Sequence, residues 1–355
     1  YQLQAFFSAS VLILEVPSGY LSDLLGRKGT IIAASFFHGL GFTLFAFADS
    51  IWAFLLFEFI LALGVSLFSG TDVALLYDSL DAVGDVEGQS KLMGKKVLYY
   101  QLGETIAALL GGVLASYYLD LPVQVHAVTA WIPFLLAFSL TEPHREKMDK
   151  TTHKENALKI WRHLFIDSPL IRLIMINGMI YGTATLVAVW SFQEHWRIIG
   201  VDLKYFGFLW AAINLVVGLS ATLANRMEKS LGGASSLVIM GILPIIGYFG
   251  MGFFPTFIGI LFCFCFQMCR GINMVLIRDA MNARVGGEMR ATANSLVSLG
   301  TRVAFIIMGP FMGWMMDRPE IGMKAYMVFG FIFVLIFIFV LLPLVAKKAE
   351  FRPPS

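Results

Sequence analysis

The chain has 355 residues, of which 58% are hydrophobic and 14% charged, and its formal net charge is +2. A soluble domain carries about 25% charged residues, so a chain this apolar cannot cover itself for water and its solvent must be lipid. The near-neutral balance argues against nucleic acid as a partner, and the three cysteines, Cys263, Cys265 and Cys269, share one apolar segment that supplies neither a disulfide framework nor a paired metal-ligand set.

A membrane-crossing helix needs about 20 mostly apolar residues. Eleven stretches qualify, at about 3–23, 30–48, 51–77, 97–118, 121–141, 169–193, 205–224, 235–254, 256–278, 291–316 and 322–346. No basic segment precedes the first apolar run, so a signal peptide is not expected. Between the first two stretches lies "GYLSDLLGRK", residues 19–28, which predicts a compact charged turn: Asp23, Arg27 and Lys28 framed by Gly19 and Gly26. "ADS" at 48–50 and "FFPT" at 253–256 predict tight helical hairpins. Pro17, Pro133, Pro244 and Pro310 fall inside spans, where neighbouring helices tolerate a kink.

The longest gap is 142–168. Its first part reads as a solvated linker. Its second part puts Ala157, Leu158, Trp161, Leu164 and Phe165 on one side, the pattern of an amphipathic helix lying on a membrane surface. Ser168 is expected to cap the next span, with Pro169 at its first position.

Lysine and arginine counts set the orientation. One set of alternate loops holds Arg27, Lys28, Lys91, Lys95, Lys96, the cations of 145–162, Arg226, Lys229, Arg284, Arg290 and the tail's Lys347, Lys348 and Arg352. The other set holds only Arg197, Lys204, Arg318 and Lys324. The first set is expected to be cytoplasmic.

The two sides of the long gap resemble each other. "SGTDVALLYDSL" (69–80) aligns without gaps on "RGINMVLIRDAM" (270–281), so Asp72 meets Asn273 and Asp78 meets Asp279. "GYLSDLLGRK" falls on "ATLANRMEKS" (221–230), and "QLGET" (101–105) on "SLGTR" (298–302), at nearly the same offset. This predicts a duplicated bundle, 1–141 and 169–346, with linker 142–168 and a cytoplasmic tail 347–355. The second half has six spans and the first five, so one helix is expected to be absent from the start of this chain.

On these features the chain resembles the major facilitator superfamily of transporters. Gly19-Tyr-Leu-Ser-Asp23-Leu-Leu-Gly26-Arg27-Lys28 is close to that family's G-x-L-x-D-R-x-G-R-K pattern between its second and third helices, with Leu24 in place of the first Arg. Two other family patterns are altered. "EFILALG" (58–64) puts Glu58 where an Arg is usual, and "AALLGG" (107–112) keeps a double glycine without the Gly-Pro of the exporters. The stretch 281–302 is loosely similar to putative exporters, so the drug/proton antiporter branch is the nearest one.

The resemblance implies an all-α integral membrane protein of two six-helix bundles related by a pseudo-twofold axis, with eleven transmembrane helices in this chain. It implies a multi-pass protein of a bacterial inner membrane, both ends of the parent cytoplasmic, acting as a monomer among membrane lipids. It also implies that Asp23 docks on the N-terminus of the 291–316 helix and closes an inner gate, where helix N–H groups and partial positive charge attract a carboxylate. Glu15 and Asp78 would belong to the same gate, and Arg27 and Lys28 would hold nearby acids or lipid phosphate.

A charge at bilayer depth costs roughly 2.5–3.5 kcal/mol on insertion scales, so charges within spans point to a cavity or a partner. The candidates are Glu58, Asp72 and Glu104 in the first half and Arg270 and Arg302 in the second. Uncharged groups that add selectivity are Gln101, Asn177, Tyr181, Asn214 and Asn273. His38 reads as a packing residue. The reading is a secondary transporter of a small organic molecule, exporting it against proton entry. Uptake of an anionic or zwitterionic metabolite by symport stays open, as does a non-transporting receptor. No G-x-S-x-G, H-E-x-x-H or G-x-x-x-x-G-K-[ST] pattern occurs, so neither an enzyme nor an ATP-driven pump is expected, and no cofactor.

Overall fold

A computed structural model describes residues 1–69, 71–83, 88–142, 163–282, 284–285 and 290–343. Among the described residues all regular structure is helical. The chain divides into two compact units, Tyr1–Met148 and Asp149–Ser355, and the division falls inside the expected linker. Most of that linker, including Ala157, Leu158 and Trp161 of the expected surface helix, lies outside the described residues, as does the tail.

In the first unit, α1 spans Gln2–Ala46, α2 Ile51–Phe68, α3 Thr71–Ala82, α4 Gly88–Tyr117, α5 Leu121–Thr129 and α6 Ile132–Ala137. The charged stretch 19–28 holds the junction of two helical runs: within α1 the backbone breaks at Gly26, with φ 79° and ψ 169°, a backbone state that side chains disfavour. Ser50 caps α2 by accepting from the Ala53 amide at 3.3 Å, which closes the α1–α2 hairpin. Gly64 brings α2 close to α1; a Cβ there would lie 3.0 Å from the Ala34 carbonyl oxygen. The expected span 121–141 is two short helices. Pro133, at the start of α6, lacks the N–H that would continue α5, so the first run stops. The Trp131 indole N–H donates to Thr43 Oγ1 at 3.0 Å and ties this break to α1. α4 begins at Gly88, nine residues before the expected span, so Lys95 and Lys96 are helical.

In the second unit, α7 spans Pro169–Ile198, α8 Phe206–Leu231, α9 Gly233–Phe253, α10 Gly259–Asn282, α11 Arg290–Met316 and α12 Lys324–Ile336. Ser168 stands before α7 without the expected side-chain cap hydrogen bond, and Pro169 takes the first helical position. α7 is held by three tyrosine hydroxyls. Tyr181 on α7 donates to the Leu237 carbonyl of α9 at 3.0 Å, Tyr248 of α9 donates to Ala184 at 2.8 Å, and Tyr326 of α12 donates to Ser191 at 3.2 Å. In lipid such bonds replace part of the drive that water gives a soluble core. The core between them is packed from Ile174, Met175, Met240, Cys269 and Ile277.

Among the described residues, eight helical segments are long and apolar enough to cross a membrane. Three shorter apolar helical stretches, Gln2–Glu15, Leu102–Tyr117 and Leu121–Ala137 (the last made of α5 and α6), lie where the other three expected spans fall. The chain is a multi-pass integral membrane protein of two helical units.

Candidate functional site

A cavity of about 380 Å³ opens within the second unit, between α7, α10 and α11. Arg270 and Asn273, one turn apart on α10, share the helix face that lines it. Ser298 and Arg302, four residues apart on α11, line the opposite side together with Thr301. α7 contributes Thr185 and an apolar wall of Leu186 and Val189. Glycine at 182 lets α7 and α11 close against each other, since a Cβ there would stand 2.8 Å from Thr301 Oγ1. Thr301 donates to the Val297 carbonyl at 3.0 Å, which leaves its oxygen as an acceptor. Asn273 Oδ1 is buried with no hydrogen-bond partner. Among the described residues, the lining holds two guanidiniums and no acid.

Three of the residues expected from sequence, Arg270, Asn273 and Arg302, therefore meet. Others do not join them. Tyr181 is 1% exposed and sits in the core, its hydroxyl spent on α9. Asn177 is also buried and bonds the Leu173 carbonyl of its own helix at 2.8 Å. It borders a separate recess of about 30 Å³ beside Glu228 and Ala280. Asn214 on α8 is buried and is not part of the cavity lining. The reason is helix rotation: Asn177 and Tyr181 share a face, but α7 turns that face to α9 and its own core.

The acids of the first unit are each held locally. Glu58, on α2, is 2% exposed; Gln4 Nε2 donates to its Oε1 at 3.0 Å, while Oε2 is buried without a hydrogen-bond partner. Asp72 forms an ion pair with Lys96 of α4. Glu104 is exposed and accepts from the Tyr100 hydroxyl at 3.1 Å. Lys96 was not among the residues the sequence singled out, because it was assigned to a loop. The signal was present: Lys96, Tyr100 and Glu104 recur every four residues, which places all three on one face of α4. The side chain of Gln101 lies outside the described residues.

The charged stretch has a second unforeseen partner, Glu142, just beyond α6. Its two carboxylate oxygens accept the backbone amides of Arg27 at 2.8 Å and Lys28 at 2.5 Å. They cap the helical run that restarts after Gly26, where the free amides and the helix dipole favour an anion. A Cβ on Gly26 would lie 2.8 Å from Glu142 Oε1, so glycine is required both for its φ and for the space. Lys28 Nζ donates to the Phe138 carbonyl at 2.9 Å instead of reaching an acid. Glu15 is half-buried on α1. The side chains of Asp23 and Asp78 and the surroundings of Gly19 lie outside the described residues. His38 packs against Phe42 and His126, with ring centroids 4.9 and 6.1 Å away.

A family model described as Major Facilitator Superfamily matches residues 2–307. The chain belongs to the major facilitator superfamily. It is 24% identical over 262 residues to an uncharacterized MFS-type transporter of Methanocaldococcus jannaschii. That alignment covers 70% of this chain, and the chain spans 63% of the relative's length. The structure is similar to a crystal structure of the nucleoside transporter NupG, with TM-score 0.73, 13% identity and coverage of 99% of this chain and 90% of that one. It is similar to a D-xylose–proton symporter with TM-score 0.74, 14% identity and coverage of 99% and 88%. At these identities the likeness carries the fold. The curated relative and these solved neighbours are each described as transporters.

Proposed function

We propose that this member of the superfamily carries a small organic molecule across the membrane by alternating access, in exchange for protons that enter, so that the net work is export. The observation that supports proton coupling is Glu58: a buried carboxylate inside a span, one oxygen held by a neutral glutamine and the other without a partner. Keeping such a group charged at bilayer depth costs roughly 2.5–3.5 kcal/mol on insertion scales. A proton offsets that cost and fits the spare oxygen. Asp72 is less suited to the role, because Lys96 already compensates its charge. Glu104 is exposed and accepts from Tyr100, and it is the second candidate.

The test is reconstitution of the complete protein in liposomes under an imposed pH gradient, with a pH-sensitive dye inside. Wild type is expected to show cargo-dependent proton movement, Glu58→Gln none, and Glu104→Gln a partial loss. Unchanged proton movement in Glu58→Gln would remove the reading. Uptake by symport is the second reading, favoured by the two guanidiniums in the second unit's cavity, which suit an anionic cargo. The sign of cargo accumulation against the imposed gradient separates the two directions.

A further inference from the structure

The carboxylate that carries the proton in the reading above is held by a neutral partner, and the kind of partner matters. We propose that Gln4 is the positioning residue of Glu58: its amide fixes which carboxylate oxygen takes the proton and keeps that proton exchangeable. The inference rests on the reading of Glu58 as the coupling acid, and it adds the residue that regulates it.

Three observations carry it. First, the geometry is one-sided. Gln4 Nε2, in the first turn of α1, donates to Glu58 Oε1 at 3.0 Å, while Glu58 Oε2 is buried without a hydrogen-bond partner. An amide nitrogen only donates, so Oε1 is held as an acceptor and the place left for a proton is Oε2. Secondly, the partner is an amide and not a cation. Asp72 shows the alternative within the same unit, because the charge of Lys96 favours its ionised form. A buried carboxylate with no partner errs the other way, since burial favours the protonated form of any carboxylate. A neutral donor stands between these limits: it favours the carboxylate by one hydrogen bond, without the full charge of an ion pair. An acid held in this way both takes up and gives up a proton, which is what a coupling group must do.

Thirdly, little else bears on the site. Glu58 is 2% exposed and is the only ionisable residue of α2. From α1, the amino group of Tyr1 acts on it, a charge only where the chain begins there. Glu15 stands about three turns from Gln4 along α1. His38, whose backbone lies against Gly64 of α2, turns its ring to Phe42 and to His126 of α5. Asp72 of α3 is engaged by Lys96.

The experiment is infrared difference spectroscopy of the complete protein in lipid, titrated with pH, with the proton as the sole probe. A protonated-carboxyl C=O stretch that is present in wild type and missing from Glu58→Gln reports Glu58. Gln4→Met keeps the length of the side chain and removes the donor. It is expected to move the midpoint of that band up by about one pH unit. The band itself is expected to move to higher frequency, because the carbonyl at Oε1 has lost its donor. Gln4→Lys places a charged donor at the same point and is expected to move the midpoint down. A merely structural role gives no reason for opposite signs. Should Gln4→Met fail to fold, Gln4→Asn serves instead: its amide stops one methylene short, and the same upward shift is expected.

The inference is overturned if Glu58 does not titrate in wild type, if midpoint and frequency ignore the loss of the Gln4 amide, or if Gln4→Met and Gln4→Lys shift the midpoint in the same direction. The coupling reading is judged apart, by proton movement in liposomes. A midpoint that follows Gln4 while Glu58→Gln still moves protons as wild type does sinks only the coupling. A midpoint that ignores Gln4 while Glu58→Gln stops proton movement sinks only the role of Gln4.

Discussion

The two units carry opposite charge inside their spans and handle it differently. In the first, three of the acids meet partners within the unit: Gln4 for Glu58, Lys96 for Asp72, Tyr100 for Glu104. In the second, Arg270 and Arg302 line one cavity. Aligned positions show the difference most directly, since Asp72 is closed within an ion pair while Asn273 keeps a bare buried oxygen. At that aligned position one unit spends its polar residue on an ion pair and the other lines a cavity with it.

The contrast can be broken in four places, taken from the largest effect down. Gly271 sits where α10 crosses α8, and a Cβ there would lie 2.4 Å from the Val217 carbonyl oxygen. Gly271→Ala must push backbone from backbone, so a loss of about 3 kcal/mol is expected by thermal or denaturant unfolding. Asp72→Asn leaves Lys96 without its counter-ion. The pair is only partly shielded, with the lysine 40% exposed, so the expected loss is roughly 1–3 kcal/mol. The swap Asp72→Lys with Lys96→Asp should recover most of it, and a swap that recovers nothing would show that the pair is not what holds α3 to α4.

Gly26→Ala forces a side chain into φ 79° and against Glu142, for about 1–2 kcal/mol. Combining it with Glu142→Ala, which clears the space and removes the cap, should give less than the sum of the two single losses. The smallest effect is expected for Tyr181→Phe. It deletes one buried hydroxyl whose acceptor keeps its place in α9, for about 1 kcal/mol by thermal unfolding, with transport unchanged. A loss of transport there would return Tyr181 to the transport site.

Much of this was legible in the sequence. Apolar runs of membrane length gave the helices, and the charges stranded inside them gave the residues to watch, because oil makes both expensive to misplace. Arg270 and Arg302 stand out that way, and Asn273 as an uncharged polar group within a span. Glu142 and Lys96 do not, since each looks like an ordinary charge near a membrane surface and its partner lies 115 or 24 residues away. Tyr181 was misplaced for a related reason. A helix face is fixed by spacing, but the direction in which that face points is fixed by its neighbours.

By itself, then, the sequence determined the class of solvent, the order and approximate length of the helices, and which ionisable groups had to be accounted for. These follow from hydropathy and a period of 3.6 residues, which act within each segment. Only the tertiary structure decided which acids were closed by local partners, which arginines shared a cavity, and that a carboxylate from beyond α6 caps the break in α1. Those outcomes depend on rotation and approach between segments far apart in the chain, and no pattern along a single segment records them.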